Sequence, residues 1–240
     1  MGDRDLTLDT RAGPMACFEV VPDGPARGAV IVVQEAFGVN GHIRDVTRRF
    51  GAAGYHAVAP AFFHRAGGGV AEYGDFAAVI PLFDGVTDDG ILADVDVTRE
   101  HLHGSGFDDR AIGIVGFCFG GRVTFLIALR RALGAGVGFY GAGIASKGAL
   151  PFDALLDDAP GLQTPWLGLF GDEDTSIPVE DVEALREALR GATVPTAIVR
   201  YAGAKHGFHC DARAESFDEQ AATDAWNRAL RWLDTHLAAP

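Results

Sequence analysis

The chain has 240 residues, of which 33 are Asp or Glu and 20 are Lys or Arg, so its formal net charge is −13. This acidity, without a compensating basic cluster, argues against nucleic acid or an anionic membrane surface as a partner. A hydrophobic fraction of 48% can build a sizeable buried core, and we predict a single domain over residues 1–240.

The strand and helix signals alternate along most of the chain. The first 25 residues contain Leu6–Leu8 and Cys17–Val20, which are typical of an antiparallel hairpin at a sheet edge. Short apolar runs, typical of parallel strands buried on both faces, follow at Ala29–Val33, Tyr55–Ala59, Ala111–Val115, Gly136–Tyr140, Trp166–Phe170 and Thr196–Tyr201. Helical periodicity occurs at His42–Ala53, Asp89–His103, Phe119–Leu133, Val179–Arg190 and Ser216–Leu237. This order predicts an α/β fold, with a mostly parallel central sheet, helices on both faces and an antiparallel N-terminal edge.

The connection from Phe62 to about Asp88 is long for a compact domain, and Gly67–Gly69 interrupts it. Connections of this length usually form a lid or a binding loop. We therefore expect this segment to take part in substrate access or binding.

The segment Gly116–Gly121, with the sequence GFCFGG, follows a predicted strand and opens a predicted helix. Glycines on either side of a central residue relieve crowding in a sharp strand-to-helix turn, and the central side chain then stands exposed above the sheet. The usual central residue is Ser, and here it is Cys118. A helix that begins at about Phe119 places amide groups and partial positive charge beside the sulfur, which favours the thiolate. Cys118 is therefore the candidate nucleophile, and the alternative is a small buried residue in a tight turn.

Two later loops carry candidates for the acid and the base. Asp172, Glu173 and Asp174 follow the strand that ends at Phe170, and His206 follows the last strand. Because the carboxyl ends of parallel strands form one face, we expect these side chains near Cys118. The order nucleophile, acid, histidine is the one found in α/β enzymes with such a turn. Charge alone does not choose among the three carboxylates, two of which could solvate the loop or cap a helix.

A metal site is the alternative interpretation of His206, His209 and Cys210, which lie within five residues. These residues have no partners at standard ligand spacing elsewhere in the sequence, so the pattern is weak evidence for a metal. We predict neither a metal nor an organic cofactor.

Four motifs occur in one order along the chain: Gln34–Gly38, Gly116–Gly121, Gly171–Asp174 followed by Ile177 and Pro178, and His206–Phe208. Together they resemble the dienelactone hydrolase (carboxymethylenebutenolidase) family, from about Ala29 to the C-terminus. The resemblance implies an α/β-hydrolase fold. It also implies a hydrolase that acts on carboxylic ester bonds in small esters or lactones.

The resemblance assigns a role to each residue of the candidate site. It implies that Cys118 attacks the ester carbonyl, that His206 transfers the proton, and that Asp174 orients His206. It also implies that Glu35 holds the resting thiol protonated until substrate enters. Such control protects the thiol, because a permanently ionised sulfur is open to oxidation and alkylation.

The tetrahedral intermediate of ester hydrolysis needs hydrogen-bond donors aimed at its oxyanion. In this fold they are the amide after the nucleophile, here Phe119, and an amide from the loop after an early strand, here Ala36. Apolar and aromatic side chains surround the expected mouth of the site. The predicted substrate-binding residues among them are Phe37, Tyr73, Phe117 and Tyr140.

The chain departs from the family pattern in its arginines. Dienelactone-cleaving members grip the substrate carboxylate with one arginine on the mid-chain loop and another shortly after the catalytic histidine. Here residues 66–98 contain no Arg or Lys, Cys210 stands at the second position, and Arg213 is the nearest cation. An anionic lactone lacks its bidentate clamp in this pattern. We therefore expect a neutral, moderately hydrophobic small ester or lactone as substrate.

Three other functions stay open: a dienelactone hydrolase proper in aromatic degradation, a peptidase, and a non-catalytic module that uses Cys118 as a redox sensor. The peptidase is less favoured because one domain of this length leaves little room for a substrate-gating domain. The cysteines, Cys17, Cys118 and Cys210, are odd in number and widely spaced, which does not suggest a disulfide framework. No apolar run of signal or membrane-span length is present. We expect a cytoplasmic protein that is a monomer or a weak homodimer.

Overall fold

The computed structural model describes residues 1–239 of the chain. Its strands are β1 (Gly2–Thr10), β2 (Gly13–Val21), β3 (Ala29–Val33), β4 (His56–Pro60), β5 (Ile112–Phe117), β6 (Ala135–Phe139), β7 (Trp166–Gly171) and β8 (Thr196–Tyr201). Its α-helices are α1 (Gly41–Ala52), α2 (Phe76–Leu82), α3 (Asp88–Gly104), α4 (Phe119–Arg130), α5 (Val179–Ala188) and α6 (Glu219–His236). Short 3₁₀ segments lie at Phe62–Ala66, Asp109–Ala111, Leu156–Gly161 and Leu189–Gly191.

The strands form one eight-stranded sheet in the order β1-β2-β4-β3-β5-β6-β7-β8. β1 pairs antiparallel with β2, and β2 pairs antiparallel with β4. The pairs β3 with β4, β6 with β7 and β7 with β8 are parallel. The predicted α/β fold with a mostly parallel sheet and an antiparallel N-terminal edge is confirmed.

The described residues divide into two compact units, one of Met1–Ile114 with the segment from Leu237, and one of Val115–His236. The first contains β1 to β4 and α1 to α3, and the second contains α4 to α6 and β6 to β8. The boundary falls inside β5. The single domain over residues 1–240 stays a prediction.

In the first unit the inner strands are buried along their whole length, as their continuous apolar sequences predict. Helix α1 packs against β2, β3 and β4, and α3 packs against β1 and β4. The long connection after β4 contains α2, which the sequence pattern did not indicate. α2 is short, and the side chain of Asp75 caps it by accepting a hydrogen bond from the Ala78 amide.

In the second unit α4 is buried along almost its whole length and packs against β6 and β7. It ends at Arg130, three residues before the predicted end. The amides of Gln163 and Thr164 bond to the Ala128 carbonyl, so a distant loop accounts for the early end of the helix. Helix α6 packs against β6 and β7, which confirms that the last predicted helix lies on the sheet.

Among residues 1–239, no helix combines the length and the apolar character that a membrane crossing requires.

Candidate active site

Cys118 lies at the turn between β5 and α4, in a backbone conformation that non-glycine residues rarely adopt. Its φ is 57° and its ψ is −116°. A Cβ on Gly116 would lie 2.2 Å from the carbonyl oxygen of Gly120, and one on Gly121 would lie 2.6 Å from the carbonyl oxygen of Phe139. Glycine is therefore required at positions 116 and 121, because other backbone atoms lie too close there for a Cβ atom.

The turn leaves the Cys118 side chain partly exposed, at the N-terminus of α4. The Cys118 amide donates to the Phe139 carbonyl on β6 at 3.0 Å, which holds the turn against the neighbouring strand. The Cys118 carbonyl accepts from the amides of Gly121 and Arg122 in the first turn of the helix. Cys118 thus lies at the N-terminus of a buried helix, the positive end of the helix dipole.

His206 and Asp174 form a hydrogen-bonded pair in the second unit. Nδ1 of His206 lies 2.7 Å from Oδ2 of Asp174, whose side chain is fully buried. The other oxygen of Asp174 accepts a hydrogen bond from the Ser176 amide at 2.8 Å. Both carboxylate oxygens are therefore engaged, and the imidazole is held in one orientation.

The two neighbouring carboxylates have other surroundings. Asp172 accepts two hydrogen bonds from the guanidinium of Arg200, at 2.7 and 3.0 Å, in a bidentate ion pair. Glu173 is exposed to solvent. Of the three candidates for the acid, the structure brings only Asp174 to His206.

The surroundings of His206 favour its protonated form. Burial, the largest influence, lowers its pKa, but the negative charge of the Cys118 sulfur and hydrogen bonds to Asp174 and Cys118 outweigh it. Together they raise the pKa of His206 from its ordinary value of 6.5 to about 10. The protonated imidazole thus lies close to both the Cys118 sulfur and the Asp174 carboxylate.

Two aromatic side chains that the sequence assigned to substrate binding lie near this pair in different settings. The Tyr140 ring contacts the His206 ring edge to face, with centroids 5.2 Å apart. Phe117 is fully buried and is stacked between Phe139 and His209, at centroid distances of 4.7 and 5.2 Å. The structure thus places the Phe117 ring in the core, packed between two other rings.

His209 and Cys210 have surroundings of their own. The imidazole of His209 is stacked on Trp226 as well as on Phe117, with a centroid distance of 5.7 Å to the indole. Cys210 is fully buried. These two side chains belong to the aromatic and apolar interior of the second unit.

Arg213 packs against the loop that contains His206 and Gly207. One of its terminal nitrogens is 2.9 Å from the position that a Cβ on Gly207 would occupy, directly after His206. Its side chain is 17% exposed and forms an ion pair with Glu215 at 3.3 Å. A guanidinium therefore packs against the loop that carries His206, a contact that the sequence does not reveal.

In the first unit, Glu35 follows β3 and its carboxylate is buried. Oε2 accepts a hydrogen bond from the hydroxyl of Tyr73 at 2.7 Å. Oε1 is also buried and forms no hydrogen bond with any group in residues 1–239. A buried carboxylate oxygen in this state is costly and is often found where a protein controls or binds another group.

The segment around Tyr73 presents an apolar surface. The ring of Phe37 contacts the rings of Tyr73 and Phe76, at centroid distances of 4.8 and 5.8 Å. Phe37 itself is buried. Large apolar side chains that are more than half exposed on this connection are Val70, Phe76 and Ile80.

The two candidate oxyanion donors lie at positions that suit the role within their own units. Phe119 is the first residue of α4, where helix amides have no intrahelical acceptor. Ala36 is buried in the turn after β3, in which Glu35 and Gly38 form a bridge.

Comparison with known proteins gives consistent results. A model of the dienelactone hydrolase family matches residues 15–237. A provisionally named carboxymethylenebutenolidase of Salmonella typhimurium is 41% identical over 209 residues, which cover 85% of this chain and 76% of the relative. A relative with the same provisional name from Escherichia coli K12 is 41% identical over 216 residues, covering 88% of this chain and 78% of that protein. The crystal structure of a provisionally named dienelactone hydrolase from Klebsiella pneumoniae has a TM-score of 0.87 at 38% identity, covering 97% of this chain and 98% of that one.

Proposed function

This chain belongs to the dienelactone hydrolase family and is a hydrolase of ester or lactone bonds, and we propose that Cys118 is its nucleophile. One observation carries the proposal: the sulfur stands at a strained turn and interacts electrostatically with His206, which is hydrogen-bonded in turn to the buried Asp174. A nucleophile, a base and a group that orients the base are the three parts of nucleophilic acyl transfer.

The proposed reaction has two stages. The Cys118 thiolate adds to the ester carbonyl, and the amides of Phe119 and Ala36 stabilise the resulting oxyanion. The intermediate collapses, His206 protonates the leaving alkoxide, and a thioester remains on the sulfur. His206 then takes a proton from water as the hydroxide attacks the thioester, and the acid product leaves while the thiolate is restored.

The role of Glu35 stays a prediction from the family resemblance, supported by its buried, singly bonded carboxylate. If Glu35 holds the resting thiol protonated, Glu35→Gln raises the rate of alkylation of Cys118 by iodoacetamide at neutral pH about tenfold, because a neutral amide no longer disfavours the thiolate. Mass spectrometry of the labelled protein measures the rate. The exposed Glu72, next to Tyr73, provides the matched control, and Glu72→Gln leaves the rate unchanged. Equal rates in Glu35→Gln and the unaltered protein contradict the guard role.

For the substrate we propose a neutral, moderately hydrophobic small ester or lactone. The exposed apolar side chains on the connection after β4, and the absence of Arg and Lys from residues 66–98, support this choice. We expect p-nitrophenyl butyrate to be hydrolysed with a kcat/KM at least tenfold above that of cis- or trans-dienelactone. Steady-state kinetics with purified protein measure the ratio, and a clear preference for dienelactone overturns the proposal.

The second candidate, a dienelactone hydrolase proper, is favoured by one observation, the guanidinium of Arg213 against Gly207. The kinetic comparison of Arg213→Ala with the unaltered protein separates the two candidates. Loss of dienelactone hydrolysis alone, with the butyrate ester unaffected, assigns Arg213 to a substrate carboxylate. An equal effect on both substrates assigns it a structural role in the loop.

All three cysteines are free thiols, which supports the proposed reducing, cytoplasmic location. The redox-sensor alternative makes the opposite prediction for activity, since it requires a reactive Cys118 without ester turnover.

A further inference from the structure

A second cluster of titratable side chains lies in the first unit, on three elements that are distant in sequence. Glu19 is on β2, His56 is the first residue of β4, and His101 is in the last part of α3. β2 pairs with β4, and α3 packs against β4, so the fold brings the three side chains together. None of them belongs to the motifs that carry the proposed hydrolysis.

The two imidazoles point at the same carboxylate oxygen. Nε2 of His56 lies 2.9 Å from Oε1 of Glu19, and Nε2 of His101 lies 2.6 Å from it. All three ligand atoms lie within 4.8 Å of one another. Ligand atoms of a tetrahedral Zn²⁺ ion, with bonds of about 2.0 to 2.1 Å, lie about 3.3 Å apart. Only small side-chain adjustments are needed to admit such an ion.

Glu19 is surrounded by polar partners. Its side chain is fully buried, and His56, His101 and Arg4 all lie within hydrogen-bonding distance of its two oxygens. A buried carboxylate needs such partners, and a bound cation serves the same purpose.

Arg4 and the two imidazoles bond to different oxygens of the Glu19 carboxylate. Arg4 donates through Nε to the other oxygen, Oε2, at 2.6 Å. The Arg4 side chain is 66% exposed, so water screens its charge. The ring of Phe107 contacts His56 edge to face and packs against the imidazole. Oε1 is thus the oxygen directed toward both Nε2 atoms.

Access to the cluster is provided by His101, whose side chain is 22% exposed, while that of His56 is 8% exposed. A site with three protein ligands and one open side can hold a water molecule in the fourth position. We propose that Glu19, His56 and His101 bind a divalent transition-metal ion, Zn²⁺, and so cross-link β2, β4 and α3. Two imidazoles and a carboxylate are a donor set that Zn²⁺ commonly takes, in preference to Mg²⁺ or Ca²⁺.

The test is a Zn²⁺ titration of the full chain after removal of metals by chelator dialysis, followed by isothermal titration calorimetry in a non-coordinating buffer. We expect one ion per chain and a rise in Tm on binding. Co²⁺ in place of Zn²⁺ gives visible absorption bands of a four- or five-coordinate site.

Variants identify the ligands. His101→Ala changes a partly exposed side chain and leaves the core intact. We expect it to weaken Zn²⁺ binding about 100-fold and to abolish the Tm shift. Glu19→Gln has the same effect if it folds. His103 provides the matched control. It lies two residues after His101 in the same helix, its side chain is 42% exposed, and it pairs with Asp109. His103→Ala leaves binding unchanged. The proposal is overturned if the chain does not bind Zn²⁺ with a Kd below about 1 mM, or if His101→Ala binds as tightly as the unaltered protein.

Discussion

Replacement of Cys118 by Ala abolishes ester hydrolysis, with kcat/KM lower by a factor on the order of 10⁴ or more. The thioester cannot form without the sulfur, and water alone must then attack the carbonyl. Ala tolerates the turn as Cys does, because both carry a Cβ at the same φ of 57°. The fold is therefore retained, which circular dichroism and an unchanged Tm check. Steady-state kinetics on p-nitrophenyl butyrate measure the loss.

The other two cysteines are the matched controls for this variant. Cys17 is buried, and burial raises the pKa of its thiol to about 12, so it stays protonated at neutral pH. Cys210 is also buried. Cys17→Ala and Cys210→Ala keep full activity, apart from small losses of stability from the cavities they leave. Full hydrolysis by Cys118→Ala, or its loss in Cys210→Ala alone, contradicts the assignment of the nucleophile.

Replacement of Asp174 by Asn lowers kcat/KM by about 10³- to 10⁴-fold while the protein stays folded. The amide of Asn can donate to Nδ1 of His206, and this selects the wrong tautomer for proton transfer to and from the substrate. It also removes one of the interactions that raise the pKa of His206 to about 10. We therefore expect the alkaline limb of the pH profile of kcat/KM to move to lower pH.

The same change in the pKa of His206 also alters how the stability of the protein depends on pH. A His with a raised pKa in the folded protein stabilises it below the unfolded value of about 6.5, and this stabilisation is lost as the pH rises through the folded value. Removing the Asp174 charge lowers the folded-state pKa of His206, so the stabilisation is lost at a lower pH. Kinetics between pH 6 and 10, with the urea midpoint measured at the same pH values, separate the effect on activity from the effect on stability.

The neighbouring carboxylates are the controls for Asp174. Glu173 is exposed, and Asp172 bonds to Arg200 rather than to His206. Glu173→Gln keeps its activity, and Asp172→Asn loses at most the modest stability of a partly exposed ion pair. If Asp172→Asn is as inactive as Asp174→Asn, the choice of Asp174 as the orienting acid is wrong.

The sequence alone predicted the parts of this protein that local patterns encode. The continuous apolar runs at Ala29–Val33 and Trp166–Phe170 indicated strands buried on both faces, and both are strands of the sheet. The glycines around Cys118 indicated the sharp turn, because a side chain at Gly116 would collide with the backbone of Gly120. The short helix α2 was missed, since its seven residues are all apolar and include Pro81, so they show no alternation of apolar and polar positions with a helical period.

Contacts between distant segments decided the rest. The choice among Asp172, Glu173 and Asp174 depends on which carboxylate meets an imidazole 32 positions later and which meets Arg200. The position of Arg213 against Gly207 depends on how the loop after β8 folds back on itself.

The cluster of Glu19, His56 and His101 is the clearest example of a feature that the sequence did not predict. Histidines 37 and 82 positions from Glu19 share one of its oxygens, a spacing that matches no ligand motif. Residue types and their local spacing predicted the fold class and the candidate nucleophile of this protein. Strand pairing and helix packing decided which charged groups meet, because a buried charge requires a partner in space, and that partner can lie anywhere along the chain.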